Sequence, residues 1–189
     1  MRCLGCGSFC FGSVCSGCKE IYLGPKIGVR SLPCGLEVLS FYAYDDIEPF
    51  LLTKHSPRGW GIYRLLAKEA FRALVPDRAD RPFAAIPVDD DIKSGYSHTA
   101  ILAAELKRYG YRPLFDVLKP RNRVSYSGRS LSFRLENPRD FKYSGPQGIE
   151  AIIVDDIVTT GLTLSEAKAV LEGSRVSVKR ALVLADASR

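Results

Sequence analysis

The run Ala151-Ile152-Ile153-Val154-Asp155-Asp156-Ile157-Val158-Thr159-Thr160-Gly161-Leu162-Thr163 constrains this chain more than any other segment. Four apolar residues in a row, Ala151 to Val154, are the pattern of a strand buried on both faces at the centre of a parallel sheet. Two carboxylates follow at its C-terminal edge, where open α/β sheets bind ligands. A Thr-Thr-Gly turn comes next, and Leu164 to Leu171 then reads as a helix. The first N–H groups of a helix lack intrahelical acceptors, and the macrodipole favours an anion there. Gly161 permits a backbone conformation and a close approach that a side chain would block. The hydroxyls of Thr159, Thr160 and Thr163 add donors. Asp155 and Asp156 would repel a phosphate, but they suit sugar hydroxyls, directly or through Mg²⁺, which prefers hard oxygen ligands. The ordered run therefore points to a sugar-phosphate site. The plain alternative is a strand ending in acidic residues with a Thr-Thr-Gly capping turn, which must then produce every feature in this order by chance.

The cysteines mark a second unit. Five of the six precede residue 19, and the sixth is Cys34. Cys3-Leu4-Gly5-Cys6 and Cys15-Ser16-Gly17-Cys18 are two C-x-x-C pairs, with Gly5 and Gly17 allowing the tight turns that aim two thiolates at one metal. Cys3, Cys6, Cys15 and Cys18 in tetrahedral array suit a structural Zn²⁺ with no open coordination position. Cys10 is an alternative member of the quartet, and Cys34 reads as an unliganded buried thiol. Disulfides and a redox pair are the competing readings. The first is disfavoured in a cytosolic chain, and the second normally follows a strand in a larger fold. So short a segment has no core of its own, so metal would supply its folding energy.

Between and after these units the pattern alternates strand and helix. Leu36–Tyr44, Phe83–Val88, Pro113–Leu118 and Val176–Leu184 read as strands; Ile47–Thr53, Trp60–Leu74 and Thr99–Tyr109 read as helices, the last stopped by Gly110. Trp60 is expected in the core. Alternation of this kind implies an α/β fold with a mostly parallel sheet flanked by helices. Residues 119–146 are basic, Ser-rich and poor in aliphatics, an excursion with a short helix near Ser130–Glu136. The expected organisation is a zinc module over residues 1–32 and an α/β domain over 33–189. No apolar run reaches the roughly 20 residues of a membrane span, and the N-terminus lacks a signal-peptide core, so a cytoplasmic protein without membrane insertion is expected.

The net charge is +6, and it is unevenly placed. Eight basic and three acidic side chains lie between Arg112 and Lys142, which suits an anionic partner, nucleic acid or polyphosphate. A solvated basic surface explains the charge equally well. Tyr126, Phe133, Phe141 and Tyr143 interleave with Arg121, Arg123, Arg129 and Arg134. Aromatics that stack on bases beside Arg that holds phosphates suit single-stranded nucleic acid, and the same mixture suits a flap closing over pyrophosphate.

The run at 152–163 resembles the phosphoribosyl pyrophosphate (PRPP) motif of type I phosphoribosyltransferases along its full length. That resemblance implies a parallel sheet flanked by helices with a mobile hood, here the basic segment 119–146. It implies 5′-phosphate contacts from Thr159, Thr160, Gly161, Leu162 and Thr163. Asp155 and Asp156 fall at its ribose-hydroxyl and Mg²⁺ positions, and the pyrophosphate side falls near Val88 and Asp89. An N-terminal zinc module joined to such a domain is similar to the ComF family of natural competence. Supporting matches are Leu51-Leu52-Thr53-Lys54, Gly95-Tyr96, and the stretch containing Leu131, Arg134, Asn137 and Phe141, in which Leu131 to Arg134 is one or two residues tighter here. Ser97-His98 stands where many relatives carry Asn-Gln, Ser94 where an Arg is common and Gly128 where a Gln is common. His98 is therefore either a site residue or a residue lining the helix that follows it. The family resemblance implies PRPP and single-stranded DNA as ligands, with uptake-channel, helicase or recombination proteins as partners. The competing functions are a salvage phosphoribosyltransferase, for which no base-recognition surface is visible, and a PRPP-sensing scaffold without chemistry.

Overall fold

Residues 1–74, 83–88, 95–122 and 131–188 are described by the computed structural model, without the side chains of Leu131, Arg134 and Leu135. The sheet is built around β7 (Glu150–Val158), buried from Ala151 to Asp156 because strands cover both its edges and helices both its faces. Its neighbours are β8 (Ser177–Asp186) and β3 (Ala84–Pro87), both parallel to it. β2 (Glu37–Ala43) extends the sheet beyond β8 and β4 (Arg112–Pro113) beyond β3, both also parallel. The one antiparallel member is β1 (Gly28–Ser31), an edge strand paired with β2 through the turn at Leu32–Leu36. The order is thus β1-β2-β8-β7-β3-β4, an α/β fold with a mostly parallel sheet flanked by helices, as expected.

Period-two alternation along β7 divides the core. Ile152 and Val154 face one layer, formed by α2 (Tyr44–Leu51), α3 (Gly59–Phe71) and α4 (His98–Leu106). Ala151 and Ile153 face the other, formed by α6 (Leu162–Gly173) with Leu118 and Phe141. α3 buries Ile62, Tyr63, Leu66, Ala67 and Ala70, one helical stripe. Ser97 caps α4 by accepting from the Ala100 N–H at 3.1 Å, and Gly110, at φ 89°, closes the turn that follows.

At the N-terminus, α1 (Ser16–Tyr22) starts on Cys15 as its N-cap. Cys3, Val14, Cys18 and Leu23 are buried in the same apolar cluster as Phe41 and Phe50, so the cysteine-rich segment leans on the main core. The Tyr42 hydroxyl donates to the Leu23 carbonyl at 3.2 Å across this contact.

Three expectations are corrected. The strand anticipated at Pro113–Leu118 is two pieces, β4 and β5 (Leu118–Pro120), interrupted at Asp116 with φ 60°. β5 pairs antiparallel with β6 (Phe141–Tyr143) and brackets the basic excursion, in which α5 (Leu131–Glu136) forms. Trp60 is half exposed rather than core, with the Arg64 guanidinium 4.6 Å from its ring centroid. Cys34 is exposed in the β1–β2 turn rather than buried, and accepts from the Ser165 hydroxyl at 3.2 Å.

Candidate functional site

The chain leaves β3 toward β4 through α4 on one face, and leaves β7 toward β8 through α6 on the other. Between the C-terminal ends of β3 and β7 the connections therefore diverge. This is the switch point where open α/β sheets bind ligands. Val88 lies there, buried, its N–H donating to the Val154 carbonyl at 2.9 Å. Asp89 lies outside the described residues.

From β7 the chain runs into the loop Thr159–Gly161 and then α6. Asp155, Ile157, Val158, Thr159, Thr160, Gly161, Leu162, Thr163 and Leu164 line a shallow, open pocket. Gly161 is the N-cap of α6 at φ 80°, a region costly for a side chain. A Cβ there would also come within 2.4 Å of Leu32 Cδ2. Glycine is thus required twice over, by backbone and by contact. Thr159 and Thr160 are exposed, and the Thr160 hydroxyl accepts from the Leu162 N–H at 3.4 Å. The structure brings the five loop residues expected to hold phosphate and Asp155 into one pocket.

It does not bring Asp156 with them. Adjacent residues of a strand point to opposite faces, so Asp155 faces the α6 side and Asp156 the α3–α4 side. Asp156 Oδ2 lies 3.2 Å from Lys54 Nζ, 3.2 Å from the Tyr63 hydroxyl and 3.4 Å from His98 Nε2. The Asp156 N–H donates to Asp155 Oδ1 at 2.8 Å. Burial pushes the Asp156 carboxyl up, but the charges of His98 and Lys54 outweigh it and hold it well below the usual carboxylate range. Burial, reinforced by the Asp156 charge, pushes the Tyr63 phenol up and keeps it protonated. The turn carrying Lys54 is anchored by Tyr96, whose hydroxyl is 2.8 Å from the Lys54 carbonyl and 3.1 Å from that of Ser56. Gly59 makes room for that hydroxyl, because a Cβ there would overlap it. The sequence flagged Lys54, His98 and Gly95-Tyr96, but nothing in the local pattern marked Tyr63.

The Cys3, Cys6, Cys15 and Cys18 sulfurs all lie within 4.8 Å of one another. Two zinc ligands at about 2.3 Å in tetrahedral array stand about 3.8 Å apart, and the Cys6–Cys15 sulfurs are separated by 3.7 Å. Backbone N–H groups of Cys15 and Gly5 point at the Cys3 sulfur at 3.3 and 3.4 Å, and that of Cys18 at the Cys15 sulfur at 3.4 Å. Gly5 is needed here too, since a Cβ would stand 2.8 Å from the Cys18 sulfur. Backbone donors, led by those of Cys15 and Cys6, bring the Cys3 thiol down to about 6. Burial, followed by the neighbouring sulfurs, pushes Cys18 up to about 12. The cluster is compatible with a structural zinc. Cys10 stands outside it, aimed at the Gly12 carbonyl at 3.1 Å.

Of the basic residues expected in the excursion, Arg121 is exposed at the β5–β6 base, 3.7 Å from Asp140. Arg123 and Arg129, with the Arg134 side chain, lie outside the described residues. Among the described residues, no helix is long and apolar enough to cross a membrane.

No family model matches the chain, and no curated protein matches it by sequence. Among solved structures it is similar to an adenine phosphoribosyltransferase, at 15% identity and TM-score 0.39, over 90% of this chain and 89% of that one. It is similar to the UMP synthase of Leishmania donovani at 18% identity and TM-score 0.40, over 90% of this chain but 31% of that one. For the orotate phosphoribosyltransferase of Aeropyrum pernix the values are 18% and 0.38, over 89% and 78%.

Proposed function

We propose that the pocket at the C-terminal end of β7 binds PRPP, with the 5′-phosphate in the Thr159–Thr163 loop and the ribose beside Asp155. The observation that carries this reading is the junction itself: a carboxylate from the strand and the N-terminus of α6 meet in one open pocket across a glycine at φ 80°. The helix donors favour the phosphate, and Asp155 accepts from sugar hydroxyls. Mg²⁺ would be held with the ligand from the Asp155 side and would neutralise the pyrophosphate charge. Asp156, which contacts Lys54, Tyr63 and His98, is assigned to hold these groups rather than to touch ribose.

Within this reading the protein acts as a ComF-type competence protein in the cytoplasm, binding PRPP and single-stranded DNA as incoming DNA is handed to helicase or recombination proteins. Support comes from the union of a four-cysteine module with this pocket in one basic chain. Zinc holds residues 1–32 together, and the segment 119–146 is a hood supplying basic side chains, Arg121 among them. Phosphoribosyl transfer to a base is the competing reading, supported by the same pocket.

Calorimetric titration with PRPP and Mg²⁺ tests the pocket, and fluorescence anisotropy of labelled single-stranded DNA over a salt series tests the competence role. Saturable PRPP binding that Asp155→Asn removes is expected, with DNA affinity that falls steeply with salt. No PRPP binding overturns the pocket assignment. PRPP binding without DNA binding at low salt overturns the competence role and leaves the transferase.

A further inference from the structure

The edge strand β1 lies far from the phosphate loop in sequence, yet Arg30 within it and Leu32 just past its end both reach the loop. Leu32 packs against Gly161 on the side where a Cβ would overlap it. The Arg30 guanidinium makes three contacts. Nη2 donates to the Thr159 carbonyl at 2.9 Å, Nη1 to the Ser188 hydroxyl at 2.9 Å, and Nε lies 3.3 Å from the buried carboxylate of Asp186. Asp186 is fixed in turn by the Ser188 N–H at 2.9 Å and hydroxyl at 2.7 Å. The Ala187 N–H holds the Val158 carbonyl at 2.9 Å.

The consequence follows from peptide geometry. A trans peptide is planar, and its C=O and N–H point in opposite directions. Holding the Thr159 carbonyl on Arg30 turns the N–H of Thr160 the other way, away from β1. We propose that Arg30 is a positioning residue of the phosphate loop: it fixes the Thr159–Thr160 peptide so that the Thr160 N–H faces a sugar phosphate. This rests on the pocket being an anion site, as proposed above. Two acceptors and the ion-paired carboxylate of Asp186 surround one planar guanidinium, an arrangement that the single ammonium of Lys does not reproduce. The segment that leaves the cysteine module thereby supports a loop some 130 residues further on.

The test compares wild type, Arg30→Lys and Arg30→Ala with ribose 5-phosphate, inorganic phosphate and PRPP–Mg²⁺ as probes. Titrations are run well below each variant's melting temperature, and the Thr160 amide is followed by NMR. Arg30→Lys keeps a cation beside Asp186, so it should lose less stability than Arg30→Ala. Both variants should bind ribose 5-phosphate at least about tenfold more weakly, about 1.4 kcal/mol, with the Thr160 amide resonance displaced in the free protein. A merely structural role would lower the melting temperature and leave affinity and that resonance in place. Wild-type affinity in Arg30→Lys would overturn the proposal. Failure of the wild-type protein to bind any probe would overturn the site reading and this proposal with it, a pattern distinct from loss in the variants alone.

Discussion

Asp156→Ala separates the two adjacent carboxylates. In the folded chain Asp156 Oδ2 receives Lys54, Tyr63 and His98 within 3.4 Å, and its side chain is 9% exposed. Removing one partner of a buried ion pair costs about 3–5 kcal/mol. The Lys54 side chain is 25% exposed and can turn to water, and Tyr63 also has the Leu51 carbonyl at 3.2 Å. The lower end applies, about 3 kcal/mol, which lowers the melting temperature of a chain this size by about 6–12 °C. Asp155→Asn keeps an oxygen for the Asp156 N–H, so it should melt within about 2 °C of wild type while losing PRPP affinity. Thermal unfolding by circular dichroism, beside calorimetric titration, reads both. The acid limb gives a second check. The Asp156 pKa lies below the unfolded value of about 3.9, so its stabilisation is full above that pH and drains as pH falls below about 4. Asp156→Ala should flatten that part of the stability profile. Equal melting of wild type and Asp156→Ala, or equal loss in both variants, would refute the division of labour drawn from strand alternation.

Gly161→Ala forces a left-handed backbone on alanine and overlaps Leu32; it should cost about 1–2 kcal/mol by thermal unfolding and reduce phosphate affinity in the same titration. Cys15→Ser should lower the zinc content of the purified chain from about one equivalent to near zero, and amide exchange should rise first over residues 3–18. Tyr96→Phe removes the hydroxyl beside the Lys54 and Ser56 carbonyls; denaturant unfolding should show a loss of about 1 kcal/mol.

What the sequence made legible was local. The four apolar residues before Asp155 announce a central strand, the glycine announces the turn, and the paired C-x-x-C motifs announce sulfurs converging on one point. Each signal lies within a few residues of the group it describes. That the two aspartates face opposite sides was also legible, because alternation assigns neighbours on a strand to opposite faces. The strand expected at Pro113–Leu118 failed because its apolar run hides a left-handed Asp116, a conformation that Asp tolerates better than most residues do. The β5–β6 pairing was out of reach, since it joins residues 118–120 to 141–143 and depends on closing the segment between them.

The supports of the pocket belong to the same illegible class, and that has a physical reason. A ligand-facing group must sit beside the helix end or strand end that creates the site, so its neighbours in sequence betray it. A supporting group needs only to arrive through space. Arg30 meets Thr159 across the β1 edge, and Tyr63 meets Asp156 from α3, each at a sequence separation that no local pattern encodes. The site is therefore braced from opposite sides by elements that arrive separately. β1 sets the loop from the α6 side, and Lys54 with α3 and α4 sets the strand end from the other. Because the two braces share no residue, combining Arg30→Lys with Asp156→Ala should give stability losses that add within about 0.5 kcal/mol. Coupling well beyond that would show that loop and strand end move as one unit, and that the braces are a single structure seen from two faces.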